Sequence, residues 1–277
     1  MHQQKKTLLT ILIVNYNTSD FVNISLYALN KLTKNNYQVI VLDNNSKPSD
    51  YSSLKKIVSK YKNAYLEKNN TNLKGSVAHG SALNHLAKKV NTPYFVILDA
   101  DAIWLLKDWD QILINQLNDK IKAIGTQAPI NSEKYQDFPL VFAMLFETNN
   151  FQKLNINCLP PNLEKKQDVC YELREKFLEA GVWAKNIEMK NTRTYKNGPF
   201  KNLICAEYYL NCDYEHIFVS HFGRGSQGGG KIKYNQGWKK IIYNIPLLGQ
   251  YILLKKCDQE KNTWIKICKE IIDKQID

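Results

Sequence analysis

Read for hydrophobic and polar positions, the first hundred residues repeat one unit. Leu8–Val14 is a continuous, β-rich apolar run of the kind a parallel strand shows when both of its faces are covered. From about Ser19 the spacing changes to that of a helix, with Phe21, Ile24, Ala28, Leu29 and Leu32 forming one stripe. Gln38–Leu42 predicts a second strand ending at Asp43. A helix capped by Ser49 follows, with a stripe of Leu54, Ile57, Val58 and Tyr61. Ala64–Glu67 predicts a short strand, Leu83, Leu86, Ala87 and Val90 a third helix, and Tyr94–Leu98 a fourth strand ending at Asp99. Strands alternating with helices of this length imply βαβ units and an α/β fold with a mostly parallel, Rossmann-like sheet flanked by helices.

The second half is less regular. A helix after Asp108 leads to a strand at Lys122–Thr126, residues 127–139 read as a loop, and Leu140–Phe146 as a strand. A helix is expected from Asp168 to Ala180, stopped by Gly181, with strands at Val182–Glu188 and Ile217–His221. Residues 223–230 are glycine-rich and the last 40 read as helical. No linker or repeat divides the chain. It is read as one domain over 1–236 (1–126 facing a nucleotide ligand, 127–236 forming the other wall) with a helical extension over 237–277.

Polar clusters sit where the strands stop: Asn15-Tyr16-Asn17, Asp43-Asn44-Asn45-Ser46 and Asp99-Ala100-Asp101. In an open parallel sheet these ends share the edge where ligands bind. Two carboxylates one residue apart, Asp99 and Asp101, can share a hard divalent cation, Mg²⁺ or Mn²⁺. A turn with an Asp helix cap is the other reading. Asp43 can accept from a base N–H or a ribose hydroxyl, or close an Asx-turn with Asn44 or Asn45. His221, opening His-Phe-Gly-Arg-Gly, can supply a third ligand, and Arg224 can meet a diphosphate. Asp168 is the candidate general base and Glu172 its reserve; capping a helix is the competing role for Asp168. Gly225–Lys231 spells GxxxxGK, but Ile232 stands where a P-loop needs Ser or Thr, so a Walker A site is rejected.

Composition changes this picture little. With 44% hydrophobic and 23% charged residues among 277, the chain is an ordinary globular protein, and its net charge of +12 suits an anionic partner. No helix-turn-helix, zinc or RNA-binding signature accompanies that charge, so nucleic acid is not the expected partner. The six cysteines show no CxxC or metal-ligand spacing, which predicts reduced thiols and a cytoplasmic protein. The short apolar run after Lys5 and Lys6 lacks a small-residue cleavage site and is read as a first strand, not a signal peptide. Gly237–Lys256, with Trp238, Lys239 and Lys240, is read as packing on the domain, with contact to the cytoplasmic face of an anionic membrane as the alternative.

The order of "TILIVNYNTSDFVNISLYAL", "VIVLDNNS", "NTNLKGSVAHGSALNHL", "YFVILDAD", "QDVCYELREKFLEAGV" and "VSHFGRGS", over roughly residues 9–226, resembles the family 2 glycosyltransferases of the GT-A fold. The resemblance implies transfer of a sugar from a nucleotide-diphosphate sugar to a glycan, lipid-linked or protein acceptor, with inversion and with Mn²⁺ or Mg²⁺ as cofactor. It implies that Asp43 contacts the nucleoside beside Tyr16, Asn17 and Asn44, and that Gly75 to Asn84 lines the donor pocket. Asp99 and Asp101 would hold the metal-diphosphate with His221, and Asp168 would be the base. Gln167 and Cys170 depart from acidic residues common around that base. A non-catalytic nucleotide-sugar binder and a nucleotidyltransferase are the alternatives.

Overall fold

The structure is a computed structural model. It describes residues 6–276 except 131, 133, 166, 211–214, 224–244 and 246–247. The opening repeat folds as its pattern predicts. Strands β1 (Leu9–Asn15), β2 (Tyr37–Asp43), β3 (Ala64–Lys68) and β4 (Tyr94–Asp99) alternate with helices α1 (Ser19–Leu32), α2 (Pro48–Val58) and α3 (Gly75–Ala87). They pair in parallel in the order β3-β2-β1-β4. The period-two side-chain alternation of a strand sends successive residues into two cores. Leu9, Ile11, Ile13, Val39, Val41, Val96 and Leu98 join one, with α1, α2 and the C-terminal helix. Leu12, Val14, Ile40, Leu42, Phe95 and Ile97 join the other, against Ala82, Leu83 and Leu86 of α3.

One boundary differs from expectation. Helix α2 starts at Pro48 with Lys47 at its N-cap, and Ser49 does not cap it. Proline at the first helical position has its φ already set and needs no N–H partner there.

Beyond β4 the sheet becomes mixed. A turn at Ala100–Asp101 leads into β5 (Ala102–Trp104), then α4 (Trp109–Ile114), β6 (Ile121–Thr126), β7 (Leu140–Glu147), α5 (Thr148–Lys153), α6 (Leu173–Glu179), β8 (Trp183–Asn191), β9 (Ala206–Tyr209) and β10 (Val219–His221). The whole sheet runs β3-β2-β1-β4-β7-β6-β8-β9-β10-β5. Strand β7 is antiparallel to both β4 and β6, and β10 lies antiparallel between β9 and β5.

The C-terminal helix α7 (Leu248–Asp273) packs on α1. Its Trp264 is fully buried against Phe21, Phe200 and Phe222 and donates its indole N–H to Ser220 Oγ at 2.9 Å. No helix among the described residues is long and apolar enough to cross a membrane. Of the stretch considered for membrane contact, residues 237–244 and 246–247 lie outside the described residues, as does Arg224.

Candidate active site

Register brings the strand-end clusters together. Asn15 faces Asp43 across β1 and β2, and Val14 faces Asp99 across β1 and β4. Asn15, fully buried, ties the loops below the edge: its amide donates to Asp43 Oδ1 at 2.9 Å, Ser46 Oγ at 3.1 Å and Asp50 Oδ2 at 3.0 Å. The other oxygen of Asp43 accepts the Ser46 N–H at 3.2 Å, and the side chain has no exposed surface. Asn17 and Asn45 both have positive φ, a conformation asparagine tolerates better than most residues, and Asn17 Oδ1 accepts the Lys47 N–H at 2.9 Å. Tyr16 and Asn44 are left facing a cavity of about 560 Å³, whose wall also includes Gly75, Asp99, Asp101 and Asp168. Asn84 does not line this cavity. It accepts the Cys158 N–H at 2.7 Å and donates to Asn157 Oδ1 at 2.6 Å.

The β10–β5 pairing sets His221 opposite Ala102, one residue past Asp101, and so beside the carboxylates. Its Nε2 lies 3.3 Å from Asp101 Oδ1 and 3.9 Å from Asp99 Oδ2, and Phe142 packs on its ring at 4.4 Å. Ligand atoms of Asp99, Asp101 and His221 all fall within 4.8 Å of one another. Two carboxylates and one imidazole at this spacing could hold a divalent cation. His79, which the sequence reading passed over, points from α3 to within 3.5 Å of Asp99 Oδ1. Burial works against its charged form, but the hydrogen bond and charge of Asp99, with Asp168 and Asp101 beyond, outweigh burial and raise its pKa. Its helical spacing from Gly75, one turn on, was the available signal.

Asp168 lies in irregular chain just before a turn over 169–172, and α6 starts only at Leu173. The expected helix start at 168 is therefore corrected: Cys170 has φ +54°, which interrupts helical geometry just after Asp168. Burial raises the Asp168 pKa, yet a Ser76 hydrogen bond, the Val169 N–H and Lys134 at 3.5 Å together hold it below the usual carboxylate range. Glu172 is engaged elsewhere, accepting the Asn157 N–H at 2.5 Å and pairing with Lys176 at 2.7 Å.

The expectation of reduced thiols also needs correction. Cys158 and Cys170 form a disulfide across the base of the Asp168 loop, while Cys205, Cys257 and Cys268 are buried. Cys212 lies outside the described residues. A pair joined only by the path of a loop leaves no mark in sequence spacing. The Asp168 end of the cavity adds Lys134, Tyr135, Tyr171 and Arg174, none singled out from sequence. The Tyr171 hydroxyl and burial push the Tyr135 phenol up to about 12, so it remains a donor at neutral pH.

The family model described as glycosyl transferase family 2 matches residues 10–177, more than half of the chain. Among solved structures the chain is similar to the mannosyltransferase PcManGT from Pyrobaculum calidifontis in complex with GDP-Man and Mn²⁺. That likeness has 15% identity and a TM-score of 0.52, and covers 66% of this chain and 55% of that one. It is also similar to S. aureus TarS 1-349, at 14% identity and TM-score 0.48 over 66% of this chain and 59% of that one. The chain thus matches little more than half the length of these structures. No match was found among curated proteins. The likeness to the mannosyltransferase bears out the expected GT-A architecture.

Proposed function

Because the chain belongs to glycosyl transferase family 2, we propose that it moves a sugar from a nucleoside diphosphate sugar to an acceptor hydroxyl with inversion at the anomeric carbon. The observation that carries this reading is one cavity walled by both Asp99/Asp101 and Asp168. The neighbouring mannosyltransferase structure, which holds GDP-Man and Mn²⁺, supports a nucleotide-sugar donor.

In this reading Tyr16 and Asn44 face the nucleoside, while the buried Asp43 and the half-buried Asn17 hold the loops that present them. Asn84 shapes the pocket by tying α3 to the 157–158 loop. The N-terminus of α3 faces the diphosphate: Lys74 and Gly75 line the cavity, no acidic residue stands in the first turn, and the helix dipole favours an anion there. Asp99, Asp101 and His221 would hold a divalent cation, which supplies charge compensation for a diphosphate leaving group. His79 orients Asp99 by its hydrogen bond. Asp168, ionised at neutral pH, takes the proton of the acceptor hydroxyl as its oxygen bonds to the anomeric carbon and the bond to the diphosphate breaks. Lys134 keeps that carboxylate ionised and oriented. Attack from the side opposite the leaving group inverts the centre. Arg224, outside the described residues, remains a proposed diphosphate contact.

The test is turnover. Nucleoside diphosphate release from UDP-, GDP- and dTDP-sugars, with the product anomer read by NMR, should give one donor family and an inverted linkage. A bound donor that is never consumed would make the chain a nucleotide-sugar binder, and a retained anomer would refute the single displacement.

A further inference from the structure

The two ends of the cavity differ in chemistry. At the strand edge the wall carries the polar and charged Asn44, Lys74, His79, Asp99 and Asp101 beside small residues, with Tyr16 as its one large aromatic. At the Asp168 end, half-buried Tyr135 and Tyr171 lie with ring centroids 5.3 Å apart, tilted by 35°. Arg174 stacks on the Tyr135 ring at 4.7 Å. It is held there by a fork to Asp137, with Nε to Oδ1 at 3.0 Å and Nη2 to Oδ2 at 2.6 Å. Tyr135 is thus fixed before any ligand arrives, which removes the ordering cost of a mobile ring. Phe142, packed on His221, continues the aromatic lining toward the carboxylates.

We infer that Tyr135 and Tyr171 form the acceptor subsite, and that the acceptor is a saccharide whose ring rests on this aromatic wall with one hydroxyl at Asp168. This inference rests on the sugar-transfer reading above. A pyranose presents a face of C–H groups and a rim of hydroxyls, so it needs apolar ring surface and hydrogen-bonding groups on the same patch. Tyrosine carries both on one side chain, and Lys134, Arg174 and Asp168 supply the charged rim. A polyprenyl chain would use the apolar Phe138–Phe142 stretch of the wall without the charged rim, and a peptide would call for a free strand edge.

The test supplies the donor identified by turnover and compares three acceptor sets: unmodified mono- to tetrasaccharides, Ser/Thr peptides and a polyprenyl phosphate. Saccharides should accelerate nucleoside diphosphate release. Tyr171→Ala should raise acceptor KM by about tenfold or more, as expected from losing an aromatic stacking partner. Its donor thermal shift should equal that of the wild type, and Tyr171→Phe should restore most of the acceptor KM. Acceleration by peptide or polyprenyl phosphate alone, or an unchanged acceptor KM in Tyr171→Ala, would overturn the subsite while leaving sugar transfer intact. No donor shift in the wild type would overturn the parent reading, and the subsite with it.

Discussion

Replacing Gly80 with alanine sets two effects of opposite sign against each other. Gly80 lies inside α3, where alanine in place of glycine favours the helix by about 0.5–1 kcal/mol. Its Cβ, however, would lie 2.3 Å from the Cys158 carbonyl oxygen, 2.9 Å from the Cys158 carbonyl carbon and 3.0 Å from Leu159 Cα. All three are backbone atoms, so no side chain can swing aside. Relieving the contact to a C···O separation of about 3.3 Å requires α3 and the 157–159 loop to part by roughly 1 Å. That movement strains both Asn84 hydrogen bonds, at 2.6 and 2.7 Å, each worth about 1 kcal/mol, and adds overpacking of about 1–3 kcal/mol. After the helix gain is subtracted, a net loss of about 2 kcal/mol is expected, or roughly 4 °C in Tm. Thermal and urea unfolding read it directly. Because the same loop leads through the disulfide to Asp168, kcat should fall while donor affinity at the other end of α3 changes less. A Gly80→Ala protein as stable as the wild type, or more stable, would refute this account of how the loop is held.

Three further predictions test other parts of the account. Asp168→Asn should lower kcat by about 100-fold or more with donor binding kept. Because the Asp168 pKa is depressed, the acid limb that Asp168 contributes to the rate should lie below the usual aspartate pKa of about 3.9, and a limb near pH 6 that Asp168→Asn abolishes would contradict the Lys134 pairing. Buried Glu207 accepts the Phe200 N–H at 2.8 Å and the Tyr209 hydroxyl at 2.8 Å, and burial raises its pKa. A raised folded-state pKa gives stability that is present below the ordinary glutamate range and lost as pH rises through the shifted value. Glu207→Gln should therefore flatten that loss in pH-dependent urea titrations, and an unchanged slope would refute it. Trp264→Ala should cost about 3–5 kcal/mol in the unfolding of the whole chain; a separate low-temperature transition would instead mark α7 as an independent appendage.

The parts of this site legible in the sequence were those written by doubly covered parallel strands. Leu8–Val14, Gln38–Leu42 and Tyr94–Leu98 are almost wholly apolar, so their ends, and with them Asn15, Asp43 and Asp99, could be located to within a residue or two. The Asp99-Ala100-Asp101 triplet then fell at the binding edge by topology alone. His221 was legible as a strand end, but its approach to Asp101 depends on pairing with the three-residue β5, which is too short to leave a pattern. His79 was hidden because the residues of α3 were read for their apolar stripe, and its partner Asp99 comes from a strand distant in sequence. Around Asp168 local signals misled: an acidic residue before an apolar periodicity reads as a helix start, while the left-handed Cys170 and its disulfide exist only through long-range packing. The aromatic pair Tyr135–Tyr171 is likewise a tertiary contact between two loops.

The central claim, a donor site built on a metal-binding carboxylate pair, is tested most directly by thermal shift with UDP-, GDP- and dTDP-sugars. Mn²⁺ and EDTA are compared for the wild type and Asp101→Ala. The account predicts stabilisation by one nucleotide family with Mn²⁺, abolished by EDTA and absent in Asp101→Ala. Equal stabilisation of the variant, or no response of the folded wild type to any donor, would contradict it.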